Sequence, residues 1–363
     1  MKLLHIINSL QVGGAEKLLV DLIPLLKELG HTVDILLLNG VDSCFKRQLE
    51  LSGIKINYLG INNNIYNPFL IFKLVKYIKK YDIVHVHLFP SQYWVAIAKL
   101  FSFSKVKLIT TEHNTSNRRR NIPFFKYLDI IIYRCYSKII CISDKTKDTL
   151  AEYIGKENNL EVIYNGIDVD KYKRETRTQS REELCNIPNY YFLIEQIAGF
   201  RIQKDQDTLI RSLILLPDNI HIAFIGDGER KCICEKLVDS LKLSSRVHFL
   251  GIRDDVPDLL KVADLVVMSS HWEGFGLAAV EGMAAKKAVI ASNVEGLAEV
   301  VQGAGLLFKK GDDIELSGLI MNLYKDEMER NRIASACLDR SKEYDISIML
   351  KNYERVYKEI VNG

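Results

Sequence analysis

The sequence predicts an α/β protein of two doubly wound parallel-sheet domains facing a cleft. Three observations carry that reading. At 363 residues the chain exceeds one ordinary core. Short apolar runs alternate with amphipathic helical patterns, as repeated strand–helix–strand units require. Between two such series lies a polar, charged stretch, 169–189, VDKYKRETRTQSREELCNIPN, which reads as a linker. Residues 1–168 then form the first domain and 190–344 the second. Residues 345–363 form a C-terminal helix expected to pack back toward the first domain.

In the first series, KLLHIINSL is a strand and GAEKLLVDLIPLLKELG a helix ending at glycine. TVDILLL, DIVHVHL, KLITTEH, KIICIS and EVIYNG are further buried strands, separated by helical patterns such as NPFLIFKLVKYIKKY. In the second series YFLIEQIAGF, HIAFIGDG, RVHFLG, DLVVMSS and KAVIAS are strands. In such sheets ligands bind beyond the carboxyl ends of the strands.

Composition excludes several classes. Hydrophobic content of 48% and charged content of 26% fit a globular protein. No apolar run is long enough to span a bilayer, and the N-terminal run lacks a signal-peptide cleavage site. Seven scattered cysteines argue against a disulfide framework, and Cys232 and Cys234 stand too close for a zinc pair. A reducing cytoplasm, no structural metal and no nucleic-acid partner are expected. The net charge of +3 is unevenly spread: residues 1–168 hold 22 Lys+Arg against 15 Asp+Glu. That excess suits an anionic partner near the first domain.

The informative stretch is HWEGFGLAAVEGMAAKKAVIAS, His271–Ser292. HWEGFG should be the loop at the carboxyl edge of a buried strand. Gly274 and Gly276 let its backbone approach a ligand, with Phe275 between them. The helix beginning near Gly276 or Leu277 offers unpaired N–H groups suited to phosphate. Glu281, one turn inside, can accept two hydrogen bonds from a ribose diol. Glu273 can grip a second polyol. In LQVGGAEK, Gly13 and Gly14 open a helix after a strand, without the third glycine of a dinucleotide fingerprint. In AGFRIQKDQDTL, Arg201 and Lys204 could neutralise a diphosphate.

Glu273 and Glu281, separated by seven residues with GFG between, stand with GGAEK (Gly13–Lys17), TEHN (Thr111–Asn114), VIYNGID (Val162–Asp168) and GDGE (Gly226–Glu229) in one order. Together they resemble the large "group 1" family of retaining glycosyltransferases with the GT-B fold, over nearly the whole chain. The resemblance implies two Rossmann-like domains and transfer of a hexose or N-acetylhexosamine from a nucleotide-diphosphate sugar, by family frequency a UDP-sugar. It implies His113 beside the reacting carbon, Glu273 on the donor hexose, and Glu281 on the ribose. Gly226, Asp227 and Gly228 would line the nucleotide pocket, with the base read near Ile252 and Arg253. Lys204 with Arg201 would stabilise the diphosphate. The family often has arginine five residues before the lysine; here that place holds Gly199, which puts the role of Arg201 in question. No DxD-type motif stands out, and Asp254 and Asp255 read as loop and helix cap, so metal-independent activity and no cofactor are expected. Of His85 and His87, one reads as core and the other as facing the cleft.

On the acceptor side, NTSNRRRNIPFFKYLDIIIYRCYSK places Arg118, Arg119 and Arg120 before an aromatic helix. Basic residues beside aromatics suit an anionic membrane surface or a lipid pyrophosphate. The expectation is peripheral attachment at the inner face of the plasma membrane and a lipid-linked glycan acceptor in cell-surface polysaccharide synthesis. The alternatives are a nucleotide-sugar epimerase and a non-catalytic nucleotide-sugar-binding protein.

Overall fold

A computed structural model describes residues 1–11, 13–115, 118–155, 159–173 and 179–362, with only the backbone of Arg118 and Asn121. The chain divides into two compact units, Met1–Gly166 with Ile346–Gly363, and Ile167–Asp345.

The first unit is built on seven parallel strands: β1 (Lys2–Ile7), β2 (Thr32–Leu37), β3 (Lys55–Tyr58), β4 (Ile83–His87), β5 (Lys107–Glu112), β6 (Lys138–Cys141) and β7 (Leu160–Val162). Their order is β3-β2-β1-β4-β5-β6-β7, so strand order reverses between β1 and β4. The register sets His5 of β1 beside His85 of β4, and His87 beside Thr111 of β5. β4 is buried at every residue, which explains its unbroken apolar character apart from two histidines. The sequence reading lacks β3, a half-exposed edge strand without an apolar run.

The C-terminal helix Ile346–Asn362 completes this unit. Met349, Tyr353, Val356 and Tyr357 recur at helical spacing and are buried with Leu3, Ile7 and Ile83. The Tyr357 hydroxyl reaches His85 Nδ1 at 2.6 Å.

The second unit carries β8 (Phe192–Ile197), β9 (Ile220–Ile225), β10 (Val247–Gly251), β11 (Leu265–Met268), β12 (Ala288–Ser292) and β13 (Leu306–Phe308), in the order β10-β9-β8-β11-β12-β13. Here the order reverses between β8 and β11. The stretch 169–189, expected as a linker, carries two short helices, Val169–Lys173 and Arg181–Cys185, and falls with the second unit. Arg181 is buried, bonding Asp264 and the Val262 carbonyl, and Ser180 with Glu183 forms a capping box. The charges that made this stretch look like a connector are in part internal anchors.

Candidate active site

In the second unit, the loops after β8 and β11 lie at the point where strand order reverses, the place where open α/β sheets bind ligands. The two loops are fastened to each other. The Gln203 carbonyl accepts from the His271 N–H at 2.7 Å, and Gln203 Nε2 donates to the Trp272 carbonyl at 2.9 Å. Ser269 Oγ donates to the Asp205 carbonyl at 2.7 Å. Across this seam Lys204 Nζ donates to Glu273 Oε1, which also accepts from Ser270 Oγ at 2.8 Å. Glu273 is buried at 6% exposure, so a cation beside it is a physical requirement. Lys204 and Glu273, 69 residues apart, thus meet.

The GFG segment then turns into the helix Leu277–Ala284. Gly276 caps it at φ 89°, a left-handed position where glycine carries no penalty. Phe275 is buried edge-on against Tyr344 and so anchors the loop, while Gly274 and Leu277 are half-exposed. Glu281 is buried and accepts from the Tyr172 hydroxyl at 2.7 Å. Sequence reasoning missed Tyr172: it lies inside the supposed linker, and only the packing of Val169–Lys173 on the Glu281 helix reveals it.

Gly226 and Gly228 have φ 140° and 158°, and a Cβ on either would meet the backbone of Ala198 or Phe200 within 2.5 Å. The crossing of two chain segments therefore demands these glycines whatever they bind. Between them Asp227 is exposed, its Oδ1 accepting the Gly228 N–H at 2.7 Å. Arg201 is exposed, its Nε 3.9 Å from the place of a Gly199 Cβ. Ile252 is 57% exposed. Arg253 grips Asp255 with two bonds, Nε to Oδ1 at 2.7 Å and Nη2 to Oδ2. Asp255 does occupy the N-cap position of Val256–Val262, but its carboxylate is spent on Arg253 rather than on the helix.

In the first unit the reversal between β1 and β4 is closed by Asn8, whose amide donates to the Phe89 carbonyl at 2.8 Å and whose carbonyl accepts from Ser91 at 2.7 Å. Gly13 caps the helix Gly14–Glu28 in extended conformation. His113 follows β5, and its Nε2 lies 3.1 Å from His87 Nδ1. His87 Nε2 lies 3.2 Å from His5 Nδ1. His85 bonds Tyr357 and Thr111 (2.8 Å). Both His85 and His87 are buried, which corrects the expectation that one faces a cleft. Burial lowers the pKa of His113 to about 4 and of His5 to about 3, so both rings are neutral at pH 7. Ligating nitrogens of His5, His85 and His87 lie within 4.8 Å of one another, the spacing of a metal site. Both nitrogens of His85 and of His87, however, already have hydrogen-bond partners.

The arginine triplet departs from expectation. Arg119 pairs with buried Asp129 at 3.2 Å and lies over the Phe89 ring at 4.5 Å. Arg120 pairs with buried Glu112 at 3.3 Å. Both arginines neutralise acids inside the unit and form no exposed patch; the Arg118 side chain lies outside the described residues. Asp129 within an apolar helix pattern was the available signal, since a buried acid needs a cation. The exposed surface nearby is aromatic instead: Tyr66, Phe69 and Phe72 before and on Leu70–Ile78, and Phe124 and Tyr127 on Pro123–Arg134, the last four each at 66–72% exposure. Tyr66 and Arg119 both contact Phe89.

Comparison with known proteins matches residues 12–171 to Glycosyltransferase Family 4 and residues 181–337 to Glycosyl transferases group 1. An uncharacterized glycosyltransferase of Methanocaldococcus jannaschii is 30% identical over 77% of this chain and 76% of its own length. An Escherichia coli UDP-Gal:alpha-D-GlcNAc-diphosphoundecaprenol alpha-1,3-galactosyltransferase is 27% identical over 62% of this chain and 61% of its own. The crystal structure of Anabaena Alr3699/HepE in complex with UDP-glucose is 25% identical, covers 99% of this chain and 100% of that one, and superposes with a TM-score of 0.88.

Proposed function

Because the chain belongs to the group 1 glycosyltransferases, with their GT-B pair of parallel-sheet domains, we propose that it transfers a hexose or N-acetylhexosamine from a UDP-sugar to a glycan acceptor with retention of configuration. The observation that carries this reading is the Lys204–Glu273 pair on adjoining loops at the strand-order reversal of the second unit. UDP as the nucleotude carrier is supported by the UDP-glucose complex of the similar Anabaena protein.

The roles follow from charge and position. Lys204, with Arg201, faces the diphosphate, where negative charge grows as the sugar leaves. Glu273 holds the sugar hydroxyls and Glu281 the ribose diol. His113 acts at the reacting centre. The acceptor hydroxyl oxygen bonds the anomeric carbon while the bond from that carbon to the phosphate oxygen breaks. The leaving phosphate oxygen takes the acceptor's proton on the same face, so neither a side-chain nucleophile nor a metal is needed.

The acceptor we propose is lipid-linked, as the diphosphoundecaprenol in the name of the E. coli relative supports. Among the described residues no helix is long and apolar enough to cross a membrane. Contact with an anionic membrane would fall to the exposed aromatics Phe69, Phe72, Phe124 and Tyr127, with Lys73, Lys76 and Lys126 on the same two helices.

The test is a thermal-shift screen against UDP, GDP, ADP and UDP-hexoses, followed by transfer assays with lipid-linked and soluble acceptors and NMR assignment of the product anomer. A shift with UDP and an α-linked product from an α-linked donor support the reading. An altered sugar still attached to its nucleotide, formed without acceptor, identifies an epimerase instead.

A further inference from the structure

His5, His87 and His113 form a series in which each neighbouring pair shares one N···N contact, 3.2 Å and 3.1 Å long. They come from β1, from β4 and from the residue after β5, so the series crosses three adjacent strands. We propose that His87 is a positioning residue that holds His113 in its Nδ1–H tautomer, so that His113 serves the reaction as a hydrogen-bond donor and not as a base.

A neutral imidazole carries one proton on one of two nitrogens, and each N···N contact needs one proton. Only two arrangements satisfy both contacts. In one, His5 Nδ1–H donates to His87 Nε2, and His87 Nδ1–H donates to His113 Nε2, leaving His113 with Nδ1–H. In the other every proton is reversed, and His113 Nδ1 is a bare lone pair.

The far end of the series decides between them. His5 Nε2 is buried and has no hydrogen-bond partner among the described residues, and the ring has no solvent exposure. The first arrangement leaves a lone pair at this dead end; the second leaves an N–H. An orphaned buried N–H is the rarer fault in folded proteins. Adding a proton to escape the choice would place a charge on, or directly against, the buried rings of His5, His85 and His87. His85 does not compete, since its nitrogens are held by Tyr357 and Thr111.

What His113 donates to depends on the transferase reading: an oxygen of the transferred sugar or of the leaving group. The tautomer itself does not depend on it. A donor at this position agrees with a path in which the phosphate oxygen, and no side chain, accepts the acceptor's proton.

The experiment uses the full chain labelled with ¹⁵N-histidine and long-range proton–nitrogen correlation spectra, with His113→Ala to assign the His113 signals. The expected result is a protonated Nδ1 and a bare Nε2 at pH 7.5. A bare Nδ1 overturns the proposal. In His87→Leu the donor to Nε2 is lost, and His113 should shift toward the Nε2–H form that imidazoles prefer in water. In His87→Gln an amide N–H can replace the donor and keep Nδ1–H. A folded His87→Leu variant with an unchanged His113 shows that His87 does not set the tautomer. Should His87→Leu not fold, the wild type and His87→Gln still decide. The spectra need no substrate, so this result stands apart from whether UDP-sugar transfer is found.

Discussion

Lys204 and Glu273 form an ion pair that joins the loop after β8 to the loop after β11, with Ser270 as a second donor to the same carboxylate oxygen. The pair serves both the fold and the proposed chemistry. Lys204→Ala should cost about 3 kcal/mol of transition-state stabilisation, a rate loss on the order of a hundredfold or more. It should also lower the unfolding midpoint, because Glu273 is left buried without its cation. Steady-state kinetics with saturating donor, beside urea unfolding, separate the two effects. A rate loss under threefold refutes the diphosphate role.

Tyr172 and Glu281 give a second prediction. Removing the hydroxyl in Tyr172→Phe should destabilise the chain by about 1.5–3 kcal/mol, the range for a hydrogen bond to a charged group. Glu281→Ala should abolish the thermal shift with UDP, while Tyr172→Phe should retain it in weakened form. An undiminished shift in Glu281→Ala removes the ribose from Glu281.

The arginines and the aromatics should separate cleanly. Arg119→Ala breaks a buried pair with Asp129 and should cost about 3–5 kcal/mol in urea unfolding while leaving vesicle affinity unchanged. A Phe69→Ser/Phe72→Ser/Phe124→Ser/Tyr127→Ser variant should keep its unfolding midpoint and lose flotation with anionic vesicles. Equal flotation of wild type and this variant would end the membrane assignment.

Glu195, on β8, supplies a pH test. Both its carboxylate oxygens are buried and lack hydrogen-bond partners among the described residues. Burial pushes its pKa up to about 8, against the pull of Lys287 and Arg181. Below the ordinary value of 4.5 both folded and unfolded chains hold the proton, and the group has no effect on stability. Between 4.5 and 8 only the folded chain holds it, so stability falls as pH rises through this window, by on the order of 5 kcal/mol in all. Above that the penalty is constant. Glu195→Gln should flatten this slope, as unfolding midpoints at pH 6 and pH 8.5 would show.

Much of this was legible because parallel strands buried on both faces leave unbroken apolar runs, and the loops after them hold the glycines and charges. Glu273, Lys204 and the start of the Glu281 helix could be placed that way. β3 and β13 were not, being short edge strands with half-exposed residues. Pairings across the fold were also out of reach. Arg120 with Glu112, Tyr172 with Glu281, and His5 with His87 each depend on which strands and helices lie side by side. A run of three arginines looks the same in sequence whether it faces water or a buried acid.

The C-terminal helix also bears on how the protein is made. Residues 1–166 leave the ribosome before 167–345, yet their unit lacks Met349, Tyr353 and Tyr357 until residues 346–362 emerge. The second unit, 167–345, has all its strands by then. Domains usually fold in the order of their synthesis; here the unit begun before the other is finished after it, and until then the surface that receives Tyr353 and Tyr357 is open to chaperones and to other nascent chains.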